Sequence, residues 1–149
     1  MNRQDAKTPR IQTTQEPRRV QEPDAETDAL AYAVIGAAIE VHRALGPGWL
    51  ESVYEEALAV ELDLRNIAFL QQHHVALMHK SHAVGKGKID FLVSDRLVVE
   101  LKAVDALAGI RTAQVLSYLR VTGCKLGLLI NFHVPVLRNG VERVALTFL

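Results

Sequence analysis

The sequence is short of cysteine, of aromatic residues and of any surplus of charge. Cys124 is the single cysteine among 149 residues, so no intrachain disulfide can form; a lone thiol fits a reducing compartment, and a cytoplasmic protein is expected. Lys and Arg number 17 against 17 Asp and Glu. That balance pulls the chain towards neither nucleic acid nor an anionic membrane, and any such contact has to come from local charge. The apolar stretches are far too short to span a bilayer. The opening residues carry Arg3, Asp5, Lys7 and Arg10 with no apolar h-region, so no secretory leader is expected. A phosphate-cradling P-loop, a dinucleotide fingerprint and a Ser-His-Asp order are all missing, which removes nucleotide cofactors and those hydrolase classes.

What is present is apolar residue content of 49%, enough for one core at this length and too little chain for two ordinary domains. Residues 1–26 hold Pro9, Pro17 and Pro23, several Gln and Thr and mixed charges. Such a segment buries too little surface to offset its ordering entropy, so a disordered polar tail is expected over 1–26 and one domain over 27–149. From Asp28, Leu30, Val34, Ala37, Ala38, Val41 and Leu45 recur at helical spacing until Gly46-Pro47-Gly48 stops the helix. A second helix places Leu50, Val53, Tyr54, Ala57, Leu58 and Leu64 on one side, with Tyr54 expected in the core and its hydroxyl reaching towards the site. His42, near the Gly-Pro-Gly bend, is expected to hydrogen-bond that turn.

Shorter segments follow. Phe69–Met78, Lys86–Ser94 and Leu97–Ala103 read as a three-strand meander with Asp95-Arg96 as its second turn. Leu107–Thr122 reads as a helix and Lys125–Phe132 as a buried strand. Asn139-Gly140 between Val134–Leu137 and Val141–Phe148 signals a hairpin. The order predicts an α/β fold, a mixed sheet flanked by helices, with an extra N-terminal helix and a C-terminal hairpin.

The chemistry concentrates around the second turn of the meander. Alternation along a strand puts Glu100 and Lys102 on one face. Pairing about the Asp95-Arg96 turn, with a constant index sum near 190, sets Asp90 opposite Glu100. Two opposed carboxylates repel, and a divalent cation between them reverses the sign of that interaction. A hard-metal site holding Mg²⁺ or Mn²⁺ is the reading this favours; the plain alternative is a solvated hairpin on which Asp90 caps a turn. Gln114 and Tyr118 stand four apart on the following helix, a spacing that an ordinary amphipathic helix also gives. Lys80, Lys86 and Lys88, with His79 and His82 and the flexible Gly85 and Gly87, make a local basic patch that would grip phosphates, or a solvated loop. His73 and His74 are adjacent and face opposite ways on a strand, and no zinc spacing appears among the histidines.

The spacing Asp90-x₉-Glu100-x-Lys102 resembles the PD-(D/E)XK nuclease superfamily. Gly48-Trp49-Leu50-Glu51-Ser52-Val53-Tyr54 resembles the signature of its GxxExxY family, as do Val41-His42-Arg43, Leu45-Gly46-Pro47-Gly48, Val99-Glu100-Leu101-Lys102-Ala103 and Gly127-Leu128-Leu129-Ile130-Asn131-Phe132. The likeness runs from about Ala33 to Val144. It implies a restriction-endonuclease-like core in which Asp90 and Glu100 bind metal and Lys102 orients the attacking water. Glu51 is implied as a further metal ligand, although a first-turn Glu also serves a helix by its charge alone. Gln114 and Tyr118 are implied to orient the lysine or the phosphate. The activity implied is a Mg²⁺- or Mn²⁺-dependent nuclease acting on DNA, with RNA as the second choice, and a homodimer is among the assemblies it implies. A nucleic-acid-binding or protein-interaction module of the same fold without useful turnover is the alternative. Lys88 stands where the family often has Arg, and Lys80–Lys88 departs from its pattern.

Overall fold

Asp24 opens the first helix: its carboxylate accepts the Thr27 N–H at 2.8 Å and so caps α1, Ala25–Leu45. The computed structural model describes residues 23–146. Helix α1 therefore starts inside the last residues of the segment expected to be a tail, and residues 1–22 of that expectation lie outside the described residues. Gly46, at φ 70°, ends the helix with its N–H on the His42 carbonyl. Helix α2, Glu51–Leu64, follows, and then strands β1, Phe69–His79, β2, His82–Val93, and β3, Leu97–Lys102. Helix α3, Gly109–Thr122, ends at Gly123 in the left-handed region and leads into β4, Leu126–Asn131, and β5, Val141–Ala145. None of these helices is long and apolar enough to cross a membrane.

The five strands form one sheet in the order β1-β2-β3-β4-β5, with β3 and β4 parallel and the other neighbours antiparallel. The mixed α/β architecture is the one the sequence predicts. Helices α1 and α2 cover one face, where Val34, Val41, Tyr54 and Leu58 meet Phe91, Val99, Leu101 and Leu128. Helix α3 covers the other, where Val115, Tyr118 and Leu119 meet Ile89, Val98 and Leu129. The crossover from β3 to β4 is what a parallel pair requires.

Three local expectations change. The Tyr54 side chain is fully buried and stacks on Phe132 with centroids 4.5 Å apart. Its hydroxyl donates to the Gly46 carbonyl and accepts the Trp49 N–H, so it pins the Gly-Pro-Gly bend instead of reaching the site. His42 bonds the Val134 carbonyl through Nε2 at 2.8 Å, across to the β4–β5 connection and not to its own turn. The C-terminal antiparallel pair forms between β4 and β5, while Leu137–Gly140 winds into a 3₁₀ turn and Val134–Leu137 is no strand. A Cβ on Gly140 would strike the Asn131 carbonyl. Close backbone approach, and not a two-residue hairpin loop, therefore accounts for the glycine there.

Gly127 lets α3 press onto the sheet, since a Cβ at that position would lie 2.5 Å from Val115 Cγ1. Gly127→Ala is expected to cost about 1–3 kcal/mol by overpacking. A urea melt should show a lower midpoint with an unchanged m-value.

Candidate active site

Strand β3 runs under both helical layers, and its last turn outward delivers Glu100 and Lys102. The pairing of β2 with β3 sets Phe91 against Val99, Leu92 against Val98 and Val93 against Leu97. The expected index sum therefore holds, and Asp90 comes beside Glu100. At that point side chains replace the ladder. The Asp90 N–H donates to Glu100 Oε2 at 2.8 Å, and the Leu101 N–H donates to Asp90 Oδ2 at 2.9 Å. Each carboxylate thus satisfies a backbone donor of the other strand, and neither can swing away without orphaning one.

A change of facing brings Asp90 there. Strict alternation would put Ile89, Phe91 and Val93 on one face, yet Ile89 packs on the α3 side and Phe91 and Val93 on the α1–α2 side. Across the ladder the same inversion falls at Gln72, which adopts φ 53° and which, like Asp90, drops out of the regular pairing. A left-handed glutamine costs about 1–2 kcal/mol. In return Gln71 and Gln72, neighbours that would otherwise face apart, both reach Glu55 on α2 at 2.7 Å. The Gln72 amide also donates to Asp90 Oδ1 at 3.2 Å. A continuous hydrogen-bonded path therefore joins α2 to the carboxylate pair.

Glu100 is only 3% exposed. Burial, and then the charge and hydrogen bond of Asp90, push its carboxyl up from 4.5 to about 9, while Lys102 pulls the other way. The pair thus holds a proton at neutral pH in the metal-free protein. Glu51 opens α2 half-buried, and its carboxyl is also raised, by burial first, with the charges of Asp90 and Glu55 adding and those of Lys102 and Arg111 opposing. These influences put Glu51, Asp90, Lys102, Glu55 and Arg111 in one electrostatic neighbourhood.

The donor set suits a hard divalent ion. Among the described residues no three His, Cys, Asp or Glu side chains draw together into a metal cage, so Glu51 is a neighbour of the pair and not a third member of a cluster with it. Two fixed carboxylates remain, and Mg²⁺ takes one or two from a protein and keeps waters for the rest. A cation displacing the Glu100 proton would offset the burial cost and the Asp90 charge that raise its carboxyl.

The other sequence candidates are placed as follows. The Tyr118 hydroxyl accepts the Lys88 N–H at 3.3 Å and its ring lies against Gly87, so it braces β2 and makes no hydrogen bond to Lys102. Gln114 is half-buried and lines a shallow cleft of α3 with Ile110, Arg111 and Ser117. Lys80, Lys86 and Lys88 are exposed along the β1–β2 hairpin, and His79 pairs with His82 at its tip. Four contributors escaped the sequence reading: Glu55, Gln72, Arg111 and Asn131. Glu55 carried a signal, since it stands four residues after Glu51 and shares its face. Buried Asn131 bonds both the N–H and the carbonyl of Val104, and so fixes the chain as it leaves Lys102.

A family model described as the PD-(D/E)XK nuclease superfamily matches residues 28–144. No curated protein matches the chain.

The raised Glu100 has a measurable consequence. Between pH 4.5 and about 9 the native state holds a proton that the unfolded chain releases, so stability is greatest below that window and falls as pH rises through it. Chemical denaturation of metal-free protein should show this decline, and Glu100→Gln should flatten it. Mg²⁺ affinity measured by calorimetry should rise with pH over the same window, because the ion competes with the proton.

Proposed function

The chain belongs to the PD-(D/E)XK nuclease superfamily, and from that premise we propose that it is a Mg²⁺- or Mn²⁺-dependent nuclease that hydrolyses phosphodiester bonds of DNA. The observation behind this reading is the reciprocal bonding of Asp90 and Glu100 beside Lys102, with α2 held to the pair through Gln72. Superfamily members generally use divalent metals, and their substrate is nucleic acid. The Gly48-x-x-Glu51-x-x-Tyr54 signature supports placement in the GxxExxY branch. The lone cysteine supports action in the cytoplasm, and a homodimer would span a duplex.

In this reading Asp90 and Glu100 would hold the ion, and Glu51 lies close enough to feel the charges of Asp90 and Lys102. When bound, the ion supplies charge neutralisation at the phosphate and acidifies water. Lys102 is a compact cation on a half-buried strand end, and it orients the attacking water and offsets the negative charge that grows on the phosphoryl oxygens. Asn131 keeps the Lys102 backbone from drifting by clamping Val104. Arg111 adds positive charge near Glu51. Gln114 and Tyr118 act through this framework: Tyr118 holds the Lys88 backbone, and Gln114 faces the cleft of α3.

Purified protein with Mn²⁺ is expected to cleave a panel of single-stranded, duplex and branched DNA, and to lose cleavage with EDTA. Lys102→Ala should lower the rate by about 10²–10³-fold, the scale of one lost charge-stabilising group. The Asp90→Ala, Lys102→Ala double variant sets the background. Cleavage no faster than that background sinks the enzyme reading. If salt-dependent DNA binding persists there, the inactive binding module takes its place, a reading the neutral net charge favours. Glu51→Gln separates its two roles: a ligand loses metal affinity at unchanged stability, and a helix-end charge loses stability at unchanged affinity.

A further inference from the structure

Between Asp63 and Asp90 the chain carries no carboxylate, and all 17 acids lie elsewhere. This stretch folds into the β1–β2 hairpin, whose outer part is exposed on nearly every residue from His79 to Lys86. Its polar side chains, Ser81 apart, are cationic or titratable: Lys80, Lys86 and Lys88, with His74, His79 and His82. The register sets His74 opposite Lys88 and His79 opposite His82, so these side chains stand together across the ladder.

Among the described residues no ion pair to a carboxylate offsets this cationic run. Helix α3, on one side, brings Arg111, Arg120 and the Tyr118 hydroxyl and no carboxylate. Helix α2 brings Glu55 and Glu56 only to the inner end, where they bond Gln71 and Gln72, and Glu51 lies near Lys102. Strand β3 contributes Glu100 and Lys102, which belong to the centre itself. His73, opposite Ile89, turns to the α3 side and is not part of the row. The row runs along β2 to within two residues of Asp90 and shares a face with α2, whose Glu51 feels the charges of Asp90 and Lys102. Gly87 points to α3, since a Cβ there would lie 2.7 Å from Tyr118 Cε1. Alternation then turns Lys86, Lys88 and the paired His74 to the opposite face, the one α2 occupies with Glu51 and Glu55.

We propose that the β1–β2 hairpin is a titratable clamp for the phosphodiester backbone, holding DNA beside the catalytic centre with three lysines at pH 8 and with added imidazolium charge from His74, His79 and His82 at pH 5.5. The assignment of DNA as ligand rests on the nuclease reading above. Histidine is the side chain whose ordinary titration falls between pH 5 and 8. Each phosphate neutralised contributes about 0.9 to the slope of log affinity against log salt for duplex DNA. The clamp is therefore a grip whose strength, and not whose place, changes with pH.

The test is fluorescence anisotropy of full-length protein on a labelled duplex, in EDTA so that no turnover occurs, at several salt concentrations and at pH 5.5 and 8.0. The wild type should bind about tenfold or more tightly at pH 5.5, with a salt slope steeper by about 1–3. His74→Gln, His79→Gln, His82→Gln together should keep the pH 8.0 affinity and lose most of the gain. Lys80→Gln, Lys86→Gln, Lys88→Gln together should weaken binding at both pH values. These side chains are exposed, and thermal melting of each variant confirms that folding is intact. An undiminished pH response in the triple histidine variant, or wild-type affinity in the triple lysine variant, overturns the clamp. Failure of the nuclease reading would show separately, as pH-dependent binding without cleavage in Mn²⁺; failure of the clamp would leave cleavage at neutral pH untouched.

Discussion

The reciprocal capping of Asp90 and Glu100 is the constraint on which the rest of the site depends. A carboxylate that is 3% exposed beside another is costly in isolation. It persists here because each acid satisfies a backbone N–H on the other's strand, and because a proton held by Glu100 removes one negative charge. Both acids are thereby pre-set in position before any cation arrives. The same bonds end the regular β2–β3 ladder, so the place where the sheet opens and the place where chemistry can occur are one place.

The surrounding structure fixes this pair by three attachments. From the α1–α2 side, Glu55 holds Gln72, and Gln72 holds Asp90. On the same side, Phe91, Val99 and Leu101 anchor the strands in a core shared with Tyr54 and Leu58. From the β4 side, Asn131 secures the chain beyond Lys102. The left-handed backbone of Gln72 stores strain in the middle of this network, and the two glutamine amides bound to Glu55 hold it in place. Strain concentrated next to a candidate centre, inside a strand, is a sign of positional demand.

Much of this could be read from the sequence, for identifiable reasons. Helical and strand periodicities placed every major element, because one apolar face per element leaves a strong pattern. The Asp95-Arg96 turn fixed the β2–β3 register and with it the meeting of Asp90 and Glu100. The facing inversion could not be read, since no residue type marks it: glutamine at positive φ is atypical, and the signal is a tertiary bond to Glu55. The Asn139-Gly140 pair misled because the glycine answers to the Asn131 carbonyl at the end of β4, nine residues back, a demand that local turn chemistry does not contain. The hydroxyl of Tyr54 was misdirected for a related reason. Its target, the Gly46 carbonyl, is an orphan of a helix end, and helix ends recruit donors that a side-chain pattern shows only as core.

The inversion at Gln72 and Asp90 also divides the hairpin into two halves with separate obligations. Inward of it, side chains answer to the core on strict alternation; outward, the phase is reset, and the facing of His74, Lys86 and Lys88 no longer depends on the packing of Phe91 and Val93. Residues could be added to or taken from the tip in pairs, or the charges rewritten, with the carboxylate centre left in register. The hairpin is in this sense an interchangeable head on a fixed shank, the part of the molecule most open to retuning for a different substrate surface.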